Sequence, residues 1–282
     1  MFLLNVLGAG RVGKTLAKTL KIAGWKIGIV ANRTIESSKS AVKFIGEGKP
    51  TTTNFAESPR GILLICLPDD ELENLNTILK NWSLRGLESI IHTSGAISSR
   101  VFDKVTNLSK NIGKASLHPI RAFADPEKNF SKIEKTYFGI EGNEKGIQTA
   151  LKIVDSLKGI PVNIPSELKP LYHLSAVFAS NFLVGLFWIA DVLYSRCEMP
   201  ESVSKEIIIS LMNSSLENLS ELEPKKALTG PVARRDWNLI KSERETLKSE
   251  VPEFISFFDE GIKLLKKLSG GINYGYKQDS SI

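Results

Sequence analysis

At 282 residues, with 42% hydrophobic and 24% charged residues, the chain is long enough for two domains of ordinary size and has the composition of a soluble globular protein. Lys and Arg outnumber Asp and Glu by 37 to 31, a formal net charge of +6, but the excess is scattered. Without a basic stripe interleaved with aromatics the chain does not read as a nucleic-acid binder, and a mildly basic enzyme for phosphorylated or carboxylate ligands accounts for the balance.

The N-terminal run Phe2–Leu7 has no basic region before it and leads straight into a glycine loop. It reads as a first strand rather than a signal peptide, so the expected compartment is the cytosol. Further strand-like runs follow at Lys26–Ala31, Ile62–Leu67, Ser89–Thr93, Gly113–Leu117, Thr136–Ile140 and Pro161–Ile164, with a weaker one at Thr51–Thr53. Helical patterns such as Val12–Ala23, Glu71–Leu79 and Glu144–Leu157 lie between them. This alternation predicts an α/β fold, a doubly wound parallel sheet covered on both faces.

After Ile164 only helical periodicity remains, which predicts an all-α second domain. A long apolar stretch covers Leu168–Tyr194, Val203 to Leu219 keep one apolar face, and a final helix from Pro252 to Leu268 buries Phe254, Phe257, Phe258, Leu264 and Leu265 before stopping at Gly270-Gly271. The expected domains are 1–164 and 165–282. Leu174–Ala190 has no charged residue, yet its marginal length and its polar Ser175, Ser180 and Asn181 argue against a membrane span. A helix core or a dimer interface explains it, and a homodimer is expected. Cys66, in an apolar run, and Cys197, after the apolar helix, read as small buried hydrophobes; no Cys/His spacing suits a metal.

Gly8-Ala9-Gly10-Arg11-Val12-Gly13 has the spacing of a dinucleotide loop between a strand and a helix. Gly8 permits the tight turn, Gly10 lets a pyrophosphate approach the backbone, Gly13 permits close helix–strand packing, and Arg11 and Val12 open the helix whose free N–H groups meet phosphate. The second strand ends in Asn32-Arg33-Thr34 with no acid, so a ribose 2′-phosphate is favoured and NADP is the expected cofactor. Leu67-Pro68, before an Asp70–Glu73 pair spaced as a capping box, and Ser94-Gly95 end two other strands and should border the nicotinamide half. His92 reads as a strand histidine with a satisfied hydrogen bond.

Candidates for the chemistry lie further on. His118 precedes Pro119 at a strand end, with Arg121 close by. At 100° per residue His173, Ser180 and Asn181 share one helix face, with either histidine as proton donor and Asn181 orienting a carbonyl or imine; mutual hydrogen bonding explains them equally. Arg234 and Asp236 either clamp a substrate carboxylate or form an ion pair at a helix start.

Three segments, His118-Pro119-Ile120-Arg121-Ala122-Phe123, Tyr172-His173 through Ala179-Ser180-Asn181, and Ala227 through Asp236, together with His92-Thr93-Ser94-Gly95, carry a resemblance. The chain resembles bacterial proteins that join a Rossmann-like domain to a helical C-terminal domain of unassigned function, near pyrroline-5-carboxylate reductases and the β-hydroxyacid dehydrogenase group. The resemblance implies an NADP-linked oxidoreductase of a small-molecule substrate with a dimerising helical domain. Two departures stand out. The glycine- and threonine-rich substrate loop of the reductases is missing, and Val177 stands four residues before Asn181 where the dehydrogenases carry lysine. The expected reaction is hydride transfer with a small polar C=O or C=N bond; a non-catalytic NADP(H) sensor or a dimeric scaffold are the alternatives.

Overall fold

The computed structural model describes residues 2–54 and 57–270. The chain divides into two compact units, Met1–Ser180 and Asn181–Ile282. The first carries β1 (Leu3–Leu7), α1 (Arg11–Ile22), β2 (Lys26–Asn32), α2 (Ile35–Ile45), β3 (Lys49–Thr52), β4 (Gly61–Ile65), α3 (Asp69–Glu73), α4 (Leu75–Ile78), β5 (Leu87–His92), β6 (Gly113–Pro119), α5 (Pro126–Asn129), β7 (Tyr137–Gly142), α6 (Glu144–Ser156), β8 (Ile160–Asn163) and α7 (Lys169–Ala176). The strands form one sheet in the order β3-β2-β1-β4-β5-β6-β7-β8.

Apolar runs such as Leu3–Leu7 and Gly61–Ile65 suit strands covered on both faces. Alternation sends Ile62 and Leu64 into one core and Leu63 and Ile65 into the other. The chain order reverses between β1 and β4, and the parallel strands from β3 to β6 bring the carboxyl ends of β1, β4, β5 and β6 to a common edge. That edge is where open α/β sheets take ligands.

Two strands, β7 and β8, run against the direction of the expected parallel sheet, through a single antiparallel pairing. β7 pairs antiparallel with β6. A parallel return needs a crossover, usually a helix, long enough to traverse the sheet. The longest helix between β6 and β7, Pro126–Asn129, has four residues, and the chain turns back at the same edge. Strands end at Asn163, where the sequence pattern changes, but the sheet's unit runs on to Ser180 because α7 is anchored in it. Pro68 rather than Asp70 precedes α3, and no side-chain cap forms there: Asp70 already lies inside the first helical turn.

The second unit is helical: α8 (Phe182–Arg196), α9 (Glu201–Glu221), α10 (Pro224–Ala227), α11 (Gly230–Arg234), α12 (Trp237–Glu250) and α13 (Ile255–Gly270). Its own core is small, with Leu247, Val251 and Phe254 buried against Ile189, Val192, Ile255 and Phe258. Several side chains expected inside are not. Phe257 and Leu264 are exposed, as are Val184 and Trp188, because the described helices, with so few core positions, leave apolar faces uncovered. Cys197, just past α8, is exposed as well. The helical run Ser166–Arg196 is long and apolar enough to cross a membrane by length and composition, a criterion that helices paired between subunits also meet. Gly271, the second glycine of the expected stop, lies outside the described residues.

Candidate functional site

Two sets of residues occupy the carboxyl edge of the sheet. The first surrounds a cleft of about 660 Å³ lined by Gly8, Gly10, Asn32, Arg33, Thr34, Leu67 and Pro68, among others. Gly8 has φ +87°, and a Cβ there would stand 2.6 Å from the Cys66 carbonyl oxygen. A Cβ on Gly13 would stand 2.5 Å from the Gly8 oxygen, so α1 leaves β1 in contact with the turn. Gly10 is the opposite case: nothing lies within 4 Å of a Cβ built there, so the backbone is open to a ligand. The first N–H groups of α1 have no intrahelical acceptor, and no acid stands in that turn.

Asn32 supports the loop from β2. Its Oδ1 accepts the Ala9 N–H at 2.7 Å, while its Nδ2 is buried without a partner among the described residues. Thr34 caps α2, accepting the Ser37 N–H at 3.3 Å, and Arg33 is exposed. Within the glycine loop, two expected cofactor residues do not line the cleft with side chains. Arg11 points to solvent, and Val12 packs on the sheet core as the inner face of α1 requires. Cys66 is half-buried and lines the same cleft.

The second set is a ladder of polar contacts between α7 and β6–β7. On β6, Ser116 and His118 point the same way, about 6.6 Å apart along the strand. Opposite them in the antiparallel register stand Glu141 and Gly139. Lys169 and Tyr172, three residues apart on α7, share a helix face with a rise of about 4.5 Å. Lys169, 2% exposed, donates from Nζ to the Ser94 carbonyl at 2.8 Å and to Ser116 Oγ, with Glu141 Oε1 4.0 Å away. Glu141 is buried too, and accepts from Ser99 N–H at 2.6 Å, Ser99 Oγ at 2.8 Å and Ser166 Oγ at 2.7 Å. One rung on, Tyr172 Oη and His118 Nδ1 are 2.7 Å apart. The phenol reaches this far because Gly139 has no side chain; a Cβ there would collide with its oxygen.

The loop after β5 completes the arrangement. A Cβ on Gly95 would stand 2.6 Å from His173 Cδ2 and 2.9 Å from His118 Cε1 and Nε2, so this glycine packs directly on both imidazoles. Their ring centroids are 6.2 Å apart. Ser94 contributes its carbonyl to Lys169, while its Oγ accepts the N–H groups of Ala96 and Ile97 at 3.2 and 2.9 Å. Neither Ser94 nor Gly95 lines the first cleft. His92 accepts the Ser94 N–H at Nδ1 at 3.2 Å, but the expectation of a satisfied strand histidine is met only in part, because its buried Nε2 has no hydrogen-bond partner among the described residues.

Burial sets the protonation states here. It lowers Lys169 to about 8, against the pull of Glu141 and Asp69, and raises Tyr172 to about 12. Burial, with the Lys169 charge second, lowers His118 to about 4 and His92 to about 3; His173 adds to the effect on His118 and His118 to that on His92. A neutral His118 beside a neutral phenol is therefore the state at pH 7.

Other expected residues fall elsewhere. The helix leaves α geometry at Val177–Asn181, a π turn. That turn alters the 100° spacing on which the shared face of His173, Ser180 and Asn181 depends. Asn181 and Arg234 are exposed and belong to the second unit. Asp236 caps α12, accepting the Leu239 N–H at 3.1 Å. Lys169, Glu141 and Ser116 were not among the expected site residues, and Tyr172 entered only within a segment that carries the resemblance, with no role of its own. One signal was present: Lys169 opens a helix, where a cation opposes the helix dipole and needs another reason to be there.

Residues 2–119 match the family described as the Rossmann-like domain, and residues 136–259 match the domain of unknown function DUF2520. No curated protein matches the sequence. Among solved structures, protein TM1727 from Thermotoga maritima is 30% identical with a TM-score of 0.71, over 95% of this chain and 98% of that one. BF3122 from Bacteroides fragilis, provisionally named an NADP oxidoreductase, is 22% identical with a TM-score of 0.78, over 94% and 98%. A 1-pyrroline-5-carboxylate reductase from Streptococcus pyogenes is 16% identical with a TM-score of 0.63, again over 94% and 98%. The last two share the fold.

The depressed histidines give stability a definite pH dependence. Both bind protons less readily folded than unfolded, so their contribution is complete above the unfolded value near 6.5 and is lost as pH falls through about 4 and 3. Thermal unfolding should show Tm falling from pH 6.5 to pH 4, with a shallower fall in His118→Asn. An equal slope in the variant would show that His118 does not carry this linkage.

Proposed function

The chain belongs to the family that joins a Rossmann-like domain to the helical DUF2520 domain, and from that premise we propose that it is an NADP(H)-dependent oxidoreductase. The observation that carries the reading is the cleft at the β1–β4 switch point, with open backbone at Gly10 and Asn32-Arg33-Thr34 on its wall. The residues fit the cofactor. The pyrophosphate would meet the N–H groups at the start of α1, and the buried Asn32 Nδ2 is a donor in want of an acceptor. Arg33, exposed at the rim, would pair with a 2′-phosphate, where an acid would repel it. Leu67 and Pro68 would hold the apolar side of the cofactor toward β5 and β6.

When bound, the nicotinamide supplies or accepts a hydride for a small polar C=O or C=N bond. His118 and His173, packed on Gly95, are the side chains proposed to meet that substrate. The Lys169 network holds the loop that carries Gly95, which fixes the distance between the two imidazoles and the backbone. The names of the Bacteroides and Streptococcus relatives point to the same class of chemistry. We also propose that the protein is a homodimer joined through its helical unit. Val184, Trp188, Leu211 and Leu264 expose apolar surface that a second copy would cover.

NADPH should bind more tightly than NADH, and Arg33→Ala should remove most of the difference. Loss of one charge-assisted contact costs about 1.5–3 kcal/mol, or roughly ten- to hundredfold in affinity. Calorimetric titration of both nucleotides decides the matter, and equal affinities in the unaltered protein would refute the choice of cofactor. Light scattering on detergent-free protein should give twice the 31.1 kDa chain mass; a monomer at micromolar concentration would refute the assembly.

A further inference from the structure

We infer that Tyr172 is a positioning residue that fixes His118 as the neutral Nε2–H tautomer, making His118 a hydrogen-bond donor to a lone-pair oxygen on the substrate. The inference rests on the reading of this edge as the substrate side, and it names the kind of atom that side accepts.

Hydrogen-bond accounting fixes the direction of the contact. Tyr172 Oη and His118 Nδ1 are 2.7 Å apart, so one of them donates. Among the described residues the Tyr172 hydroxyl has no other hydrogen-bond partner, and it is pressed against Gly139 of β7. If Nδ1–H were the donor, the phenolic proton would have no protein acceptor on this half-buried face, which costs free energy. A phenol is also a better donor than acceptor, and a bare imidazole nitrogen is the strongest neutral acceptor available to it. The O–H therefore points at Nδ1, and the ring proton resides on Nε2. The rings meet edge-on, with centroids 5.5 Å apart at 88°, which leaves Nδ1 as the contact atom.

The charged and titratable groups around His118 agree with a neutral ring. Lys169 on α7 is the nearby cation; His173, also on α7, and His92 at the end of β5 are the other imidazoles within electrostatic reach. None is an anion that would hold a second proton on the ring. Nε2 itself has no partner among the described residues; Gly95 closes one side of it, yet, unlike His92 Nε2, it is not among the fully buried unpaired atoms and so keeps contact with solvent. An N–H so placed can only donate. It suits a carbonyl, hydroxyl or carboxylate oxygen and opposes a protonated imine, whose N–H would face it donor to donor.

The test is long-range 1H–15N NMR of the full chain labelled in histidine, at pH 7, without nucleotide. The result expected is a bare Nδ1 and a protonated Nε2 for His118. In Tyr172→Phe, with the fold verified by circular dichroism, the ring should shift toward a mixture of tautomers. A protonated Nδ1 with a bare Nε2, or an imidazolium, in the unaltered protein would overturn the inference. An unchanged tautomer in folded Tyr172→Phe would remove Tyr172 as its cause. Because the readout involves neither cofactor nor turnover, it stands or falls separately from NADP(H) binding.

Discussion

An ammonium group with almost no access to water is the constraint on which the carboxyl edge of the sheet depends. Burying Lys169 carries a desolvation cost of several kcal/mol unless its protons are shared among fixed acceptors. The Ser94 carbonyl and Ser116 Oγ accept them, from the loop after β5 and from β6, and the Glu141 carboxylate on β7, 4.0 Å away, adds the opposite charge. One side chain of α7 is thus tied to three neighbouring segments. The same ties set the height of α7 over the sheet, so that Tyr172, one rung along, meets His118 at hydrogen-bond distance.

The two halves of the edge use different physics. In the cleft the backbone does the work, through the left-handed turn at Gly8, close packing at Gly13 and open space at Gly10. In the ladder, side chains are held by one another and protonation states are set by burial. A neutral His118 near a buried cation follows from that environment, whereas an exposed histidine would titrate near 6.5. Glu141 is available to the ladder because β7 runs antiparallel, which puts it directly opposite Ser116.

Most of the sheet was legible because its strands are apolar runs separated by turn residues, and the glycine loop was legible because a strand enters it and a helix leaves it. His118, His173 and Gly95 were singled out and do come together. The direction of β7 was not legible: an isolated apolar run carries no sign of its polarity, and only the shortness of the helices before it bears on the matter. Lys169 was overlooked because a lone lysine at a helix start ordinarily faces water. The π turn at Val177–Asn181 has no composition of its own, so a uniform helical spacing overstated the common face of His173, Ser180 and Asn181. In the helical unit, apolar periodicity marked Phe257 and Leu264 correctly as one face but could not say that this chain's own core leaves them exposed.

The central claim is that Lys169 and Glu141 form one coupled buried unit holding the edge together. A double-mutant cycle with Lys169→Met and Glu141→Gln, followed by denaturant unfolding, tests it most directly. The account predicts that each single change is strongly destabilising and that the double variant recovers at least about 1 kcal/mol relative to the sum, as contacting buried partners do. Additivity to within about 0.3–0.5 kcal/mol, the behaviour of independent sites, would contradict it.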